Sequence, residues 1–254
     1  MIWLRRIMLT VAYITCFPVA APVDEESLTG LAPYLPIAGI LIGACLVIAA
    51  RALHYAQTDR LLSAGITTVL WLLLTNGLHF DGLMDTADGI FSHRSRERML
   101  EIMQDPRVGN FGVLAGVSVL LLKFVCLQRL FVLPLYPVAL ILIPAWARWT
   151  ETFAIGVFPY AKPEGKGKVW HDTMNHPAAL FWAAVVPLLA VAVSCSQGCH
   201  QSLAIAFATI VSGLSAAWWL DRKVGGHTGD TYGCVVELAE LGGLLALALG
   251  SSWM

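Results

Sequence analysis

Apolar runs of about twenty residues recur along the chain, separated by shorter polar stretches. A helix rising about 1.5 Å per residue needs roughly that many to cross the hydrocarbon of a bilayer. The runs fall at residues 35–54, 61–78, 111–128, 130–147, 178–195, 203–220 and 234–253. They predict an all-α, polytopic integral membrane bundle of about seven transmembrane helices, with amphipathic helices on its cytoplasmic side. Pro134, Pro137 and Pro144 predict breaks or kinks around the third and fourth runs, and Pro187 predicts a bend in the fifth. Gly39, Gly43 and Ala44 suit close helix approach. Residues 1–30 read as an interfacial segment: Arg5 and Arg6 precede an apolar stretch, and Asp24, Glu25 and Glu26 follow it. The outline is that of a signal peptide, but a retained helix is the preferred reading. The whole of 1–254 is expected to be one transmembrane catalytic domain.

Composition narrows this. The chain is 57% hydrophobic and 13% charged, against about 25% charged in soluble domains. The net charge of -1 and the absence of a long basic run give no reason to expect a nucleic-acid partner; the expected surroundings are a lipid bilayer. Alternating the loops places Arg51, Arg60, Lys123 and Arg129 on one side and the rest of the 16 lysines and arginines on the other. The positive-inside rule makes the second side cytoplasmic, as in a bacterial inner membrane. The three long polar loops, 79–110, 148–177 and 221–233, then share that face and carry the site. The spans read as nearly free of ionisable groups, which argues against an ion or metal transporter with polar groups through its depth. Cys195 and Cys199 frame an opposite turn where an external disulfide is open; the other four cysteines read as small packing residues.

Chemistry concentrates in three motifs. The first, His79-Phe80-Asp81-Gly82-Leu83-Met84-Asp85-Thr86-Ala87-Asp88-Gly89, places carboxylates at i, i+4 and i+7, within roughly 60° of one helical face. Clustered like charges at a membrane boundary call for a cation, and a hard divalent ion is the simplest. An amphipathic piece, 97–105, follows and Pro106 ends it; Arg107 beside Gly109 and Gly112 suits a phosphate, or alternatively a snorkelling role. The second motif runs from Pro159 to Lys168, with Lys162, Lys166 and Lys168 among glycines. It suits a polyphosphate but lacks P-loop spacing, and a plain solvated loop reads equally well.

The third motif, Gly225 to Glu240, sets Asp230, Glu237 and Glu240 within about 80° of one face. Two acidic stripes facing each other would hold one or two metals for displacement at phosphorus. His79 and His227 each precede a stripe. Either is a candidate to take a hydroxyl proton, with Asp85 and Asp88 as competitors, and a structural hydrogen-bonding role is the alternative.

In this order, the motifs resemble adenosylcobinamide-GDP ribazoletransferases, the cobalamin synthases. The resemblance rests on residues 79–89, on 100–105 with Arg107, Gly109, Phe111, Gly112 and Lys123, on 159–165 and on 228–230. It departs at Cys16, where a basic residue is usual, and at Pro106, where a small one is common. The resemblance implies that adenosylcobinamide-GDP is joined to alpha-ribazole or its 5'-phosphate, releasing GMP, with Mg2+ as cofactor. The residues themselves suggest the roles: metal contacts would come from Asp81, Asp85, Asp88, Asp230 and Glu237. Substrate contacts would come from Arg107, Asp105, Lys162, Lys166 and Glu164, and catalytic roles from Asp85, Asp88, His79 and His227. Self-association stays open. A CDP-alcohol-type phosphotransferase is the nearest rival, but its D-x-x-D-G-x-x-A-R order is absent: the acids here read D-G-x-x-D-x-x-D-G.

Overall fold

The computed structural model describes residues 2–18, 26–174 and 177–250. Parts of the expected interfacial segment (19–25), of the expected 148–177 loop (175–176) and of the expected last span (251–253) lie outside the described residues. The described chain is helical: α1 Ile2–Ile14, α2 Leu35–Tyr55, α3 Arg60–Leu74, α4 Leu78–Phe91, α5 Arg96–Ile102, α6 Asn110–Leu130, α7 Tyr136–Val157, α8 Lys166–Thr173, α9 Pro177–Ser196, α10 Gln201–Val224 and α11 Gly229–Gly250. Helices α2, α6, α7, α9, α10 and α11 are each long and apolar enough to cross a membrane, and the α3–α4 pair, broken between, makes a seventh candidate.

Local sequence sets the breaks. Asp59 caps α3 by accepting from the Leu62 N–H at 3.0 Å. At the other end Asn76 and Gly77 both take positive φ, 49° and 67°, and the chain turns by 87° into α4. Gly77 supplies the left-handed conformation without steric cost. Pro137 sits in the first turn of α7, where its missing N–H is harmless. Pro144 and Pro187, expected to break or bend their spans, lie inside α7 and α9. The 3₁₀ turns Glu26–Leu28 and Ala32–Tyr34 lead into α2.

α7 is the central helix and is mostly buried, whereas α9 turns Phe181, Trp182, Leu188 and Leu189 outward. α2 packs tightly on α7 because Gly39 and Gly43 bring backbones together: a methyl group on Gly39 would stand 2.5 Å from the Pro144 carbonyl oxygen. α10 and α11 pack on α7, and α4 packs on α11 and α6, on the side that carries the polar motifs.

Two expectations about charge are corrected. Lys123, counted among the outer loops, is buried within α6, and Arg148, counted with the cytoplasmic group, is fully buried within α7. The spans are therefore not nearly free of ionisable groups. Lys123 Nζ donates to Glu237 Oε2 and to Glu240 Oε2, both at 2.6 Å, and Arg148 pairs with the other oxygen of Glu240. The charges meet inside protein rather than facing lipid, the arrangement that makes them tolerable at that depth. Cys195 and Cys199 are not bridged; Cys195 Sγ lies 3.2 Å from Ser202 Oγ.

Candidate active site

The first and third motifs meet where α4 crosses the start of α11. Glycines on both helices permit it: a methyl group on Gly82 would stand 2.6 Å from the Asp230 carbonyl oxygen, and one on Gly233 2.8 Å from that of His79. Beside this crossing lies a cavity of about 480 Å³. Asp81 is exposed at its rim and Asp230 is half-buried. Asp85, one turn along α4, is half-buried in the combined negative field of Asp81, Asp230 and Asp88, opposed by Lys162. Lys162 Nζ stands 3.5 Å from Asp230 Oδ2. Asp81, Asp85, Asp230 and Lys162 thus form one electrostatic unit.

The other two acids of the expected metal set are engaged elsewhere. Asp88 is buried and accepts from the Gly109 N–H at 2.7 Å and the Gly112 N–H at 2.8 Å. It caps α6 from a neighbouring helix, satisfying donors at that terminus. A methyl group on either glycine would strike its carboxylate. Glu237 is held by Lys123 in the buried network and does not join Asp230. Among the described residues, no group of three or more His, Cys, Asp or Glu side chains stands close enough to hold a metal ion by itself.

The lysine segment is built in, not loose. His227 N–H donates to the Pro159 carbonyl and Ala161 N–H to the His227 carbonyl, both at 2.8 Å, pairing the 159–161 strand-like stretch with the turn before α11. Arg96 reaches the Gly225 carbonyl at 3.1 Å and the Ala161 carbonyl at 3.5 Å. The segment thereby holds Lys162, Glu164 and Lys166 on the cavity lining, and Lys166 opens α8. Tyr160 packs beneath; burial, with Asp230 adding to it, pushes its hydroxyl up to about 12, so it stays protonated.

Arg107 and Asp105 do not line the cavity. Arg107, largely exposed, grips Asp105 through two side-chain contacts of 2.9 and 2.7 Å, and its guanidinium pulls that carboxylate down to about 2.

The two histidines part company. His227 is fully buried, lies outside the cavity lining, stacks on Tyr232 at 5.4 Å and 12°, and places Nδ1 3.0 Å from Thr231 Oγ1. Burial lowers its pKa to about 4, so at neutral pH it is an uncharged packing residue. His79 lies on the cavity wall, with Nε2 3.6 Å from Glu151 Oε2. Glu151, Tyr13, Trp170 and Tyr232 also line the cavity and carried no signal in the sequence. Glu151 was hidden because the fourth apolar run reads as ending at residue 147, whereas α7 continues to Val157. Arg148 and Glu151 sit three apart on that extension, each turned to a partner on another helix, Arg148 to Glu240 and Glu151 to His79.

Comparison with known proteins places this arrangement. No solved structure matches the chain. A protein of Desulfitobacterium hafniense described as adenosylcobinamide-GDP ribazoletransferase is 36% identical over 94% of this chain and 94% of its own length. A Roseiflexus protein of the same description is 37% identical over 94% of this chain and 87% of its own, and one from Thermosynechococcus vestitus is 36% identical over 95% of each. The family model for Cobalamin-5-phosphate synthase matches residues 6–248, which span all three acidic and cationic motifs. With the paired α4–α11 carboxylates and the lysine-bearing segment joined in one cavity, the chain belongs to the cobalamin-5-phosphate synthase family.

Proposed function

We propose that the chain joins adenosylcobinamide-GDP to alpha-ribazole or its 5'-phosphate and releases GMP, at the cytoplasmic face of a bacterial inner membrane. The ribazole 3'-hydroxyl attacks the phosphorus attached to cobinamide; a new O–P bond forms, the diphosphate bridge breaks, GMP carries away the electron pair, and the hydroxyl proton passes to a base. The observation that carries this reading is the meeting of Asp81, Asp230 and Lys162 on one cavity, with Asp85 one turn along α4 in their shared field.

The donor set fits Mg2+. Hard carboxylate oxygens that repel one another across α4 and α11 are relieved by a divalent cation. Asp81, Asp85 and Asp230 would hold it, and diphosphate oxygens would complete the shell that these side chains do not close alone. Bound there, the ion supplies neutralisation of charge developing on the diphosphate. Lys162 and Lys166 draw the same anion to the cavity and orient it. Asp88 serves by fixing α6 against α4.

The test is GMP release by membranes containing the chain. Adenosylcobinamide-GDP with alpha-ribazole and Mg2+ is expected to give stoichiometric GMP and a cobalamin; omitting ribazole or chelating the metal is expected to stop it. Release of GMP at the same rate without ribazole would show a hydrolase instead.

A further inference from the structure

Besides Asp81, Asp230 and Lys162, the cavity lining has a buried polar part. His79, Glu151 and Tyr232 are only 2%, 3% and 2% exposed, and all three line the cavity. Each leaves a polar atom without a hydrogen-bond partner: both ring nitrogens of His79, Oε2 of Glu151 and the Tyr232 hydroxyl. The 3.6 Å between His79 and Glu151 is too long for a direct hydrogen bond. Beside them, Tyr13 and Trp170 meet edge to face at 5.1 Å, and the Trp170 indole N–H is unpartnered too. A buried polar group left unpaired carries an uncompensated desolvation cost, so several at one cavity floor mark a place where a ligand supplies the partners.

The chemistry selects the ligand class. A carboxyl, an imidazole and a phenol ask for hydroxyl or N–H groups, and the flanking aromatic rings ask for a flat heterocycle. An acyl chain would leave every polar atom unpaired. We propose that this floor is a nucleoside seat, in which Glu151 accepts a sugar-hydroxyl or ring N–H proton and Tyr232 makes the second polar contact. The assignment rests on the function proposed above, in which both reactants carry a nucleoside: the guanosine of adenosylcobinamide-GDP and alpha-ribazole.

Equilibrium dialysis of the full chain in nanodiscs, with labelled alpha-ribazole and separately with GMP, tests it. Glu151→Gln and Tyr232→Phe are each expected to raise the Kd of one ligand about tenfold, the effect of one hydrogen bond, with Glu151→Asp recovering part. Selective weakening for ribazole assigns the seat to the attacking nucleoside; selective weakening for GMP assigns it to the leaving one. Dissociation constants within twofold of wild type for both ligands in both variants overturn the seat. Equal weakening for both ligands, or no binding of either by wild type, overturns it as well. Tyr232→Phe keeps the ring stacked on His227, so the outcome does not hang on Glu151→Gln folding. Dialysis needs no turnover: a wild-type chain that binds a nucleoside yet releases no GMP sinks the proposed function and still decides the seat.

Discussion

Gly82 and Asp230 approach so closely that the only atom able to occupy the space at Gly82 is hydrogen: a β-carbon would lie 2.6 Å from the Asp230 carbonyl oxygen and 3.1 Å from its Cα. The obstruction is backbone, which cannot rotate aside. The distance between the two acidic helices is therefore set by a missing side chain, and Asp81 and Asp85 inherit their position opposite Asp230 from it.

Gly82→Ala should accordingly separate α4 from α11. Overpacking of this kind costs about 1–3 kcal/mol, small enough for the protein to persist in membranes while the carboxylates lose their spacing. The expected result is normal membrane yield with GMP release reduced by roughly two orders of magnitude, as a displacement of about 1 Å can produce. Near-wild-type turnover would show that the spacing is not critical.

The acids themselves separate by role. Asp81→Asn and Asp85→Asn should each lower turnover roughly 100-fold or more with folding intact, because they remove charge from the proposed diphosphate site. Asp88→Ala removes the acceptor that meets two N–H groups at the α6 terminus. It should lower thermal stability in detergent by about 1–2 kcal/mol, the range of a lost helix cap. If Asp88→Ala melted like the wild type, the capping role would be wrong.

Lys123 makes a sharper case. Its removal leaves Glu237 with no cation, whereas Glu240 retains Arg148. Breaking one side of a buried pair costs about 3–5 kcal/mol, but replacing the pair by neutral groups is often benign. Lys123→Met should therefore cut yield and melting temperature strongly, and Lys123→Met with Glu237→Gln should recover much of both. Absence of recovery would mean that the cation-π contact of Lys123 with Trp71, 5.1 Å from the ring centroid, or packing alone, accounts for the loss.

Why the acids were legible and this network was not follows from range. Asp81, Asp85 and Asp88 declare themselves within one helix, since periodicity alone puts them on a face. Asp230 could be paired with them because a second Gly-bounded acidic stripe repeated the pattern. The same periodicity placed Glu237 beside Asp230 with equal justification. Lys123, more than a hundred residues away, redirected it, and nothing local in α6 announces that partner. Glu151 was lost to a boundary: ending the fourth apolar run at residue 147 turned the last ten residues of a buried helix into loop. The spans themselves were readable because the bilayer fixes their length. The 87° turn at Asn76–Gly77 was not, because a run from 61 to 78 looks continuous until the left-handed backbone at its end is seen.

His227 gives a prediction in pH. Its native pKa is lowered to about 4 by burial, while the unfolded imidazole titrates near 6.5. Below that value the unfolded state takes up a proton that the native state refuses, so stability falls as pH falls. The contribution is fully present above about 6.5 and is lost progressively down to about 4, by at most roughly 3 kcal/mol. Melting temperatures in detergent should therefore drop between pH 7 and pH 4.5, and carboxylates titrating in the same window will add their own slope. The difference isolates the histidine: His227→Gln, which cannot be protonated, should start less stable at pH 7.5 through lost stacking on Tyr232 and then decline less steeply with acid. Parallel curves for the two proteins would show that His227 takes up its proton equally in the native and unfolded states, and that burial against Tyr232 and Thr231 does not hold it neutral.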